Sequence, residues 1–257
     1  MTPNEAVIDI ENLKTCFGST WVHNGVNLSV RRGEILGIVG GSGSGKTTLL
    51  REILMLQSPT SGSIKIFNKE MTNASPATRL AIQSQWGVLF QQNALFSSLT
   101  VLENVAFPLH EHVALGADTI DELALLKILS VGLSIGDASK YPAELSGGMQ
   151  KRAALARAIA LDPELIFLDE PTSGLDPDSA AGLDELVLNL QATMGLTIVM
   201  ITHDLDSLWR ITNRVAFLGD GKVLCVENMK ALVKNPHPLI QEFFKGPRGR
   251  ATEGIYD

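Results

Sequence analysis

The sequence lacks any long hydrophobic run. A membrane-spanning helix needs roughly 18 or more consecutive apolar residues, and the longest apolar stretches in this chain, EILGIVG and LTIVMIT, are far shorter. Runs of this length are typical of buried β-strands. We therefore expect a soluble chain, whose role at any membrane would depend on a partner protein.

Basic charge and cysteine are scarce, and a secretory signal is not evident. The 257 residues include 21 Lys and Arg against 28 Asp and Glu, a net charge of −7, whereas a nucleic-acid-binding surface needs a clustered basic face. The first residues, MTPNEAVIDI, contain acids and no basic n-region, so we predict no secretory signal. Cys16 and Cys225 lie far apart and outside metal-ligand spacing. We predict that both are small, buried apolar side chains in a reducing compartment.

Apolar material is plentiful, since 45% of the residues are hydrophobic, which suits one large domain or a core with a subdomain. Several strand-length apolar runs are followed by helical periodicity, which favours a parallel sheet covered on both faces. Asp220-Gly221 lies between two such runs and predicts a hairpin. The strand-length apolar runs are residues 35–39, 64–67, 88–90, 165–168, 197–201 and 215–218.

Two regions differ from this parallel core. Residues 7–10, 26–30 and 62–67 alternate apolar and polar side chains, as half-solvated antiparallel strands do. Residues 92–160 are mostly helical in pattern, without a convincing strand. The predicted fold class is therefore α/β, with an N-terminal antiparallel β-subdomain and an inserted helical subdomain.

The stretch GGSGSGKTT, from Gly40 to Thr48, fits the pattern G-x-x-x-x-G-K-[ST] between a predicted strand and a predicted helix at residues 46–56. Glycines let the backbone curl with its N–H groups inward, and the helix dipole favours the anion they surround. Lys46 is then expected to contact the β- and γ-phosphates, and the Thr47 hydroxyl to ligate Mg²⁺. The core is therefore predicted to be a P-loop NTPase (RecA-like).

A second motif points to hydrolysis. The apolar run ELIFLDEP ends in Asp169-Glu170. Asp169 is placed to hold magnesium through water, and Glu170 to activate the attacking water. An acidic helix cap alone would not require two adjacent carboxylates, so the pair predicts an ATP or GTP hydrolase.

A second glycine-rich helix start lies a hundred residues later, at Ser146-Gly147-Gly148. Bare backbone N–H groups at a helix N-terminus also bind anions. Because one nucleotide carries a single triphosphate, we interpret this start as a contact to a nucleotide held by another copy of the chain. Two head-to-tail copies would form two identical sites about a twofold axis.

These motifs together resemble the ATP-binding cassette family over nearly the whole chain, from about Val7 to Val233. LSGGMQ is similar to the family's signature motif, and PTSGLD, ending at Asp176, to its D-loop. The resemblance implies that Gln91 serves the metal and the reaction, that His203 contacts the γ-phosphate, and that Phe17 stacks on adenine. It also implies ATP and Mg²⁺ as the cofactors.

Three stretches are similar to the Mla-type ATPases of phospholipid transporters linked to mammalian-cell-entry (MCE) proteins: SGGMQKRAALARAIALDP, NALFSSLTVLENVAFPLHEH and NPHPLIQEFFKGPRGR. The chain keeps PTSGLDP, from which several Mla-type ATPases depart. This subgroup implies a separate permease, an MCE-type lipid-binding protein, a possible small regulatory subunit, and a location on the inner face of the inner membrane. An amino-acid importer ATPase and a cell-division-type regulator are the alternatives.

The resulting domain assignment places the nucleotide-binding domain at residues 1–235, its helical subdomain at about 92–160, and a C-terminal extension at 236–257. We expect residues 239–244 to pack on their own domain and the last residues to reach the neighbouring copy. The predicted catalytic residues are Glu170, His203, Gln91 and Lys46. The predicted metal ligands are Thr47, Gln91 and Asp169. The predicted nucleotide contacts are Phe17, Gly40, Gly41, Ser42, Gly43, Ser44, Gly45, Lys46, Thr47, Thr48, Ser146, Gly147, Gly148 and Asp176.

Overall fold

The computed structural model describes residues 5–245, which divide into two compact units: residues 5–83 with 199–245, and residues 84–198. The strands in chain order are β1 (Ala6–Phe17), β2 (Thr20–Arg31), β3 (Ile35–Val39), β4 (Ser61–Ile66), β5 (Lys69–Glu70), β6 (Trp86–Leu89), β7 (Leu165–Asp169), β8 (Thr197–Ile201), β9 (Arg214–Gly219) and β10 (Lys222–Glu227). The helices are α1 (Lys46–Ile53), α2 (Pro76–Gln83), α3 (Val101–His112), α4 (Ala117–Ser130), α5 (Gly147–Ala158), α6 (Pro177–Met194), α7 (Leu205–Ile211), α8 (Met229–Leu232) and α9 (Pro238–Lys245). Short 3₁₀ turns lie at Ile135–Asp137 and Pro142–Glu144.

The first unit contains an antiparallel sheet with the strand order β2-β1-β4-β5. Ile10 of β1 lies opposite Leu28 of β2 and Ile64 of β4, and all three side chains are buried. A side-chain period of two places such residues on one face of a sheet. The prediction of antiparallel strands is confirmed, but β1 and β2 extend beyond the predicted segments. Backbone pairing continues past the alternating apolar pattern, as far as Phe17 opposite Thr20.

The first unit also contains β3 and β9, which run parallel, and β10, which pairs antiparallel with β9. Every residue of β3 is buried, as expected of a strand covered on both faces. The β9–β10 hairpin turns at Asp220 and Gly221, whose φ angles are 50° and 69°. Two positive φ angles are characteristic of the tight turns that match strand twist, and the predicted hairpin is confirmed.

In the second unit, β6 and β7 are parallel, with Val88 opposite Phe167. The rings of Trp86 and Phe167 pack edge to face at 5.9 Å. Helix α5 lies so close to β6 that a Cβ atom on Gly87 would sit 1.9 Å from the Ala158 carbonyl oxygen. Only glycine permits this approach, and the close contact fixes α5 against the strand.

Residues 92–160 contain α3, α4, α5 and the two 3₁₀ turns, and no strand is assigned within this fully described range. The predicted helical character of the segment is confirmed. Helix α3 begins with a capping box, in which the Thr100 hydroxyl accepts from the Glu103 N–H and the Glu103 carboxylate accepts from the Thr100 N–H. Such a pair satisfies two of the backbone donors that a helix start leaves open.

Two details differ from the sequence predictions. Helix α1 ends at Ile53 rather than at residue 56, because Met55 adopts a positive φ of 57° that cannot continue a helix. The cysteines are free thiols, but both are half-buried rather than buried, since Cys16 lies near the exposed end of β1 and Cys225 lies on the half-buried strand β10. Burial nevertheless raises the pKa of the Cys225 thiol to about 11.

The C-terminal extension contains α9, which packs on the first unit. Ile240 is fully buried, and the Phe243 ring meets the Phe217 ring of β9 edge to face at 5.5 Å. The predicted packing of residues 239–244 on their own domain is confirmed. The predicted contact of the last residues with a neighbouring copy falls at 246–257, outside the described residues. Within residues 5–245, none of the helices has the length and apolar character needed to cross a membrane.

Candidate active site

The phosphate loop (residues 40–47) connects β3 to α1 in the first unit. The Lys46 ammonium donates to the carbonyl oxygens of Gly40 at 2.9 Å and Gly41 at 3.0 Å, so it lies over the loop. Helix α1 has no side-chain hydrogen bond at its N-cap, Gly45. Because the N–H groups of a first turn need an acceptor, an anion is a suitable partner at this position.

The loop also has an unpartnered polar atom. The Ser44 hydroxyl oxygen is buried and makes no hydrogen bond. Buried polar atoms without partners are rare in proteins and cost free energy, so this one fits a site whose remaining acceptor comes from a ligand. A cleft of about 340 Å³ adjoins the loop. It is lined by Gly41, Ser42, Gly43 and Ser44, by Phe217, Leu218, Gly219 and Asp220, and by Leu239, Glu242 and Phe243 of α9.

A buried histidine–glutamate pair contacts the phosphate loop at Gly45. His23 and Glu52 are both fully buried, and the His23 Nδ1 atom lies 3.0 Å from a Glu52 carboxylate oxygen. The other ring nitrogen, Nε2, lies 3.2 Å from the Gly45 carbonyl oxygen. Through its two nitrogens the ring therefore bridges the Glu52 carboxyl group and the backbone of the phosphate loop. The Thr15 hydroxyl donates to the second Glu52 oxygen.

Gly45 allows this arrangement for two reasons. Its φ of 97° is unfavourable for other residues, and a Cβ atom would lie 2.6 Å from His23 Nε2. Neither His23 nor Glu52 is among the candidate residues predicted from the sequence. A polar residue paired only through the tertiary fold carries no signal in spacing or periodicity.

We expect Glu52→Ala to lower the free energy of unfolding by about 3 kcal/mol, because it leaves the His23 ring and the Thr15 hydroxyl buried without their hydrogen-bond partner. Urea denaturation measures the loss. Glu11→Ala is the matched control, since it removes an exposed carboxylate 3.9 Å from the Lys65 ammonium in the same unit and should cost about 0.5 kcal/mol or less. Equal losses in the two variants would contradict the importance of the buried pair.

In the second unit, Asp169 is the last residue of β7 and Glu170 follows it. Both are half-buried, and Glu170 has a φ of 50°. This left-handed conformation is uncommon for a residue other than glycine and often marks a functional position. Strand β7 therefore ends by presenting two carboxylates on a sharply turned backbone.

The signature motif (LSGGMQ, residues 145–150) contains the start of α5. Ser146 is the N-cap, and its hydroxyl accepts from the Met149 N–H at 3.3 Å. Ser146 and Gly147 are exposed. The predicted helix start is therefore confirmed, and the capping serine lies on the surface where a second molecule has access to it.

Asp176 has a structural partner in addition to its predicted contact with nucleotide. It is the N-cap of α6, and its carboxylate accepts from the Ser179 N–H at 3.0 Å. Hydrogen bonds from the Ser179 hydroxyl and N–H lower the pKa of the Asp176 carboxyl. The carboxylate is exposed, so capping and an intermolecular contact are compatible.

The remaining predicted residues are also accessible. Phe17 ends β1 with 51% of its surface exposed, which suits an aromatic ring that stacks on a ligand. Gln91 is exposed in the Gln91 loop (residues 90–100), which connects β6 to α3, and His203 is exposed two residues after β8. The first unit contains Phe17, residues 40–48 and His203, and the second contains Gln91, Ser146, Gly147, Gly148, Asp169, Glu170 and Asp176.

Comparison with known proteins accounts for this set of motifs. A family model described as ABC transporter matches residues 23–173. The intermembrane phospholipid transport system ATP-binding protein MlaF of Escherichia coli K12 is 39% identical over 93% of this chain and 89% of its own length. The probable ribonucleotide transport ATP-binding protein mkl of Mycobacterium leprae is 35% identical over 96% of this chain and 71% of its own length.

A solved structure is similar as well. A dimeric ATP-binding cassette in a post-hydrolysis state, bound to ADP and Pi, aligns with a TM-score of 0.78 at 32% identity, over 86% of this chain and 98% of its own. Its fold agrees with the α/β core, antiparallel subdomain and helical segment described above. The chain therefore belongs to the ABC transporter family, as one of its ATPase cassettes.

Proposed function

We propose that this chain is the ATP-hydrolysing subunit of a transporter that moves phospholipid across the bacterial envelope through a separate membrane permease. The observation that carries the proposal is the 39% identity to the E. coli phospholipid transport ATP-binding protein over 93% of the chain. The sequence motifs for nucleotide hydrolysis all lie within the part of the chain that this similarity covers. The amino-acid importer and cell-division alternatives have no comparable support.

The proposed reaction is the attack of water on the γ-phosphate of ATP, which breaks the bond to the β,γ-bridging oxygen and releases ADP and phosphate. Lys46 and the N–H groups of the phosphate loop hold the β- and γ-phosphates, and Phe17 stacks on adenine. Glu170 accepts the proton of the attacking water, and His203 contacts the γ-phosphate. Each role relies on charge or hydrogen bonding aimed at the position where charge develops in the reaction.

Magnesium fits the residues available. Mg²⁺ prefers oxygen ligands and is commonly held by one or two carboxylates together with substrate phosphates. Thr47, Gln91 and Asp169 supply such oxygens and would hold it, and the unpartnered Ser44 hydroxyl indicates that the loop is built for a polar ligand. When bound, the ion would offset negative charge on the phosphate oxygens.

We further propose that the chain works as a head-to-tail dimer. Ser146, Gly147 and Gly148 of one copy, with Asp176, would contact the nucleotide held by the other copy. Exposure of Ser146 at a helix start and the dimeric state of the similar cassette support this arrangement. In this proposal the dimer lies at the cytoplasmic face of the inner membrane. Its partners there would be an integral permease, an MCE-type lipid-binding protein and a small regulatory subunit.

The permease contact is proposed to lie on the Gln91 loop. Phe96 is 44% exposed there, its ring meets the Phe107 ring of α3 at 5.0 Å, and the Arg157 guanidinium lies 5.9 Å from its centroid. Leu95 and Leu99 are half-buried beside it. The buried Asn104 fixes the loop by donating to the carbonyl oxygens of Phe96 and Leu99. A rigid loop that presents an exposed aromatic ring suits a protein–protein contact.

We expect Phe96→Asp to leave ATP binding and basal hydrolysis by the isolated chain within about twofold of wild type, but to lower permease-dependent transport at least tenfold. The reason is that the exposed ring contacts Phe107 and Arg157, neither of which is a proposed nucleotide or metal contact. Transport by the assembled complex and ATP binding by the isolated chain are measured in parallel. Leu115→Asp, at another exposed apolar residue of the same unit, is the control. A lost melting transition in Phe96→Asp would instead assign the ring to packing.

The proposed function is tested by purifying the tagged chain together with its membrane complex. Native mass spectrometry of that complex is expected to show two copies of the chain, an integral-membrane subunit and bound phospholipid. A complex without phospholipid, in which a ribonucleotide is bound to the integral-membrane subunit, would instead favour the activity described for the mycobacterial relative.

A further inference from the structure

Lys151 of α5 is a buried cation that the proposed reaction does not use. Only 3% of its surface is exposed, although lysine is among the residues least often buried. Its ammonium donates to the Gln91 carbonyl oxygen at 2.8 Å and to the Glu170 carbonyl oxygen at 3.3 Å. One side chain therefore connects the loop of the predicted metal-binding glutamine to the backbone of the predicted base.

The hydrogen bond from Lys151 to the Glu170 carbonyl oxygen is made to a residue with a strained backbone. Glu170 has a φ of 50°, and an unfavourable backbone conformation persists only where surrounding contacts hold it. Its carbonyl oxygen accepts from the Ser173 N–H at 3.2 Å as well as from Lys151. The Lys151 bond is thus one of the contacts that hold the peptide group directly after the base.

The surroundings of Lys151 suit a buried positive charge. Burial lowers the pKa of the ammonium, while the carboxylates of Asp169 and Glu170 act in the opposite direction. A buried ammonium is tolerated when acceptors and opposite charges surround it. The carbonyl oxygens of Gln91 and Glu170 and the carboxylates of Asp169 and Glu170 provide them.

The first contact belongs to a wider attachment of α5 to the Gln91 loop. Arg157, two turns along the helix, donates to the carbonyl oxygens of Asn93 at 2.9 Å and Ala94 at 2.7 Å. Asn93 and Ala94 have φ angles of 62° and 51°. Helix α5 therefore fixes the loop backbone at two places, and Lys151 is the contact that also reaches Glu170.

We propose that Lys151 is a positioning residue for ATP hydrolysis, which fixes the backbone of Glu170 relative to that of Gln91. This inference rests on the proposed role of Glu170 as the general base. Lys151 itself need not touch substrate, because both of its hydrogen bonds are to backbone carbonyls. Its contribution is to hold the Glu170 carboxylate in the orientation needed to accept a proton.

The main test is Lys151→Met, which keeps the length and apolar stem of the side chain but removes the donor. The expected result is a kcat lowered roughly ten- to hundredfold with the KM for ATP unchanged within about twofold, because misplacement of a catalytic group mainly affects the chemical step. Lys127→Met is the matched control. It removes an ammonium of α4 that pairs with the exposed Asp162 carboxylate in the same unit, and its kcat should equal that of wild type.

A second variant and a double variant separate positioning from stability. Lys151→Gln retains a donor on a shorter side chain and should recover part of the kcat lost in Lys151→Met. In a Glu170→Gln background, Lys151→Met should lower the residual single-turnover rate less than twofold, because residues that act through one another are not additive.

Each result for the Lys151 and Glu170 variants supports or overturns the positioning role. An unchanged kcat in Lys151→Met would overturn the proposal, and so would a full additional loss in the double variant. Loss of the folded state in both Lys151 variants would make the residue structural and would also overturn it. If Glu170→Gln alone hydrolyses ATP at the wild-type rate, the assignment of the base fails, whereas a failure confined to the Lys151 variants leaves that assignment standing.

Discussion

Glu170→Gln is expected to lower ATP turnover by roughly 10²–10⁴, the usual contribution of a general base. Glutamine has the size of glutamate but cannot accept the proton of the attacking water. Because the substitution leaves the phosphate loop intact, ATP should still bind, and the variant should accumulate as a nucleotide-bound dimer. Phosphate release measures turnover, and light scattering with MgATP measures the dimer.

Glu185→Gln is the control for this substitution. Glu185 is an exposed residue of α6 in the same unit, so its neutralisation should leave turnover unchanged. Turnover by Glu170→Gln at the rate of Glu185→Gln would contradict the assignment of Glu170 as the base, and would direct attention to the neighbouring Asp169.

The second large effect is recovery of activity when two inactive variants are mixed. Lys46→Ala removes the phosphate-loop ammonium, and Ser146→Arg places a bulky cation at the exposed start of α5, so each variant alone should be inactive. A mixed dimer contains one site with both defects and one with neither. For random mixing in equal amounts, about a quarter of the wild-type ATPase activity should return if the two sites act independently.

The control mixture combines Lys46→Ala with a chain that carries both substitutions. No dimer in that mixture has an intact phosphate loop, so no activity should return. Differently tagged chains establish that mixed dimers form. Their formation without recovery of activity in the first mixture would show that the signature motif does not serve the nucleotide of the other copy.

The parts of the fold that were predictable from sequence have local causes. Strands β3 and β8 are short apolar runs that are buried at every position, and the phosphate loop is defined by glycine spacing at a strand–helix junction. The hairpin at Asp220 and Gly221 needs two positive φ angles, which that dipeptide tolerates. In each case a few consecutive residues specify the conformation.

The parts that were not predictable depend on tertiary pairing. His23 and Glu52 are 29 positions apart, and Lys151 and Gln91 are 60 apart, so neither pair produces a periodic signal. The sequence gives one local indication that Lys151 is buried. It lies three and four positions before the buried Ala154 and Leu155 on the same helix, and therefore on the same helical face. A lysine on a buried helical face requires partners, but the sequence does not identify them.

The most direct test of the proposed function is ATP-dependent transfer of phospholipid from vesicles that contain the reconstituted complex to acceptor vesicles. With the wild-type chain, labelled phosphatidylglycerol should move only when MgATP is supplied, and substitution of Glu170→Gln should reduce its movement to the level seen without ATP. A complex that hydrolyses ATP without moving phospholipid, or that moves it equally with the Glu170→Gln chain, would contradict the proposal.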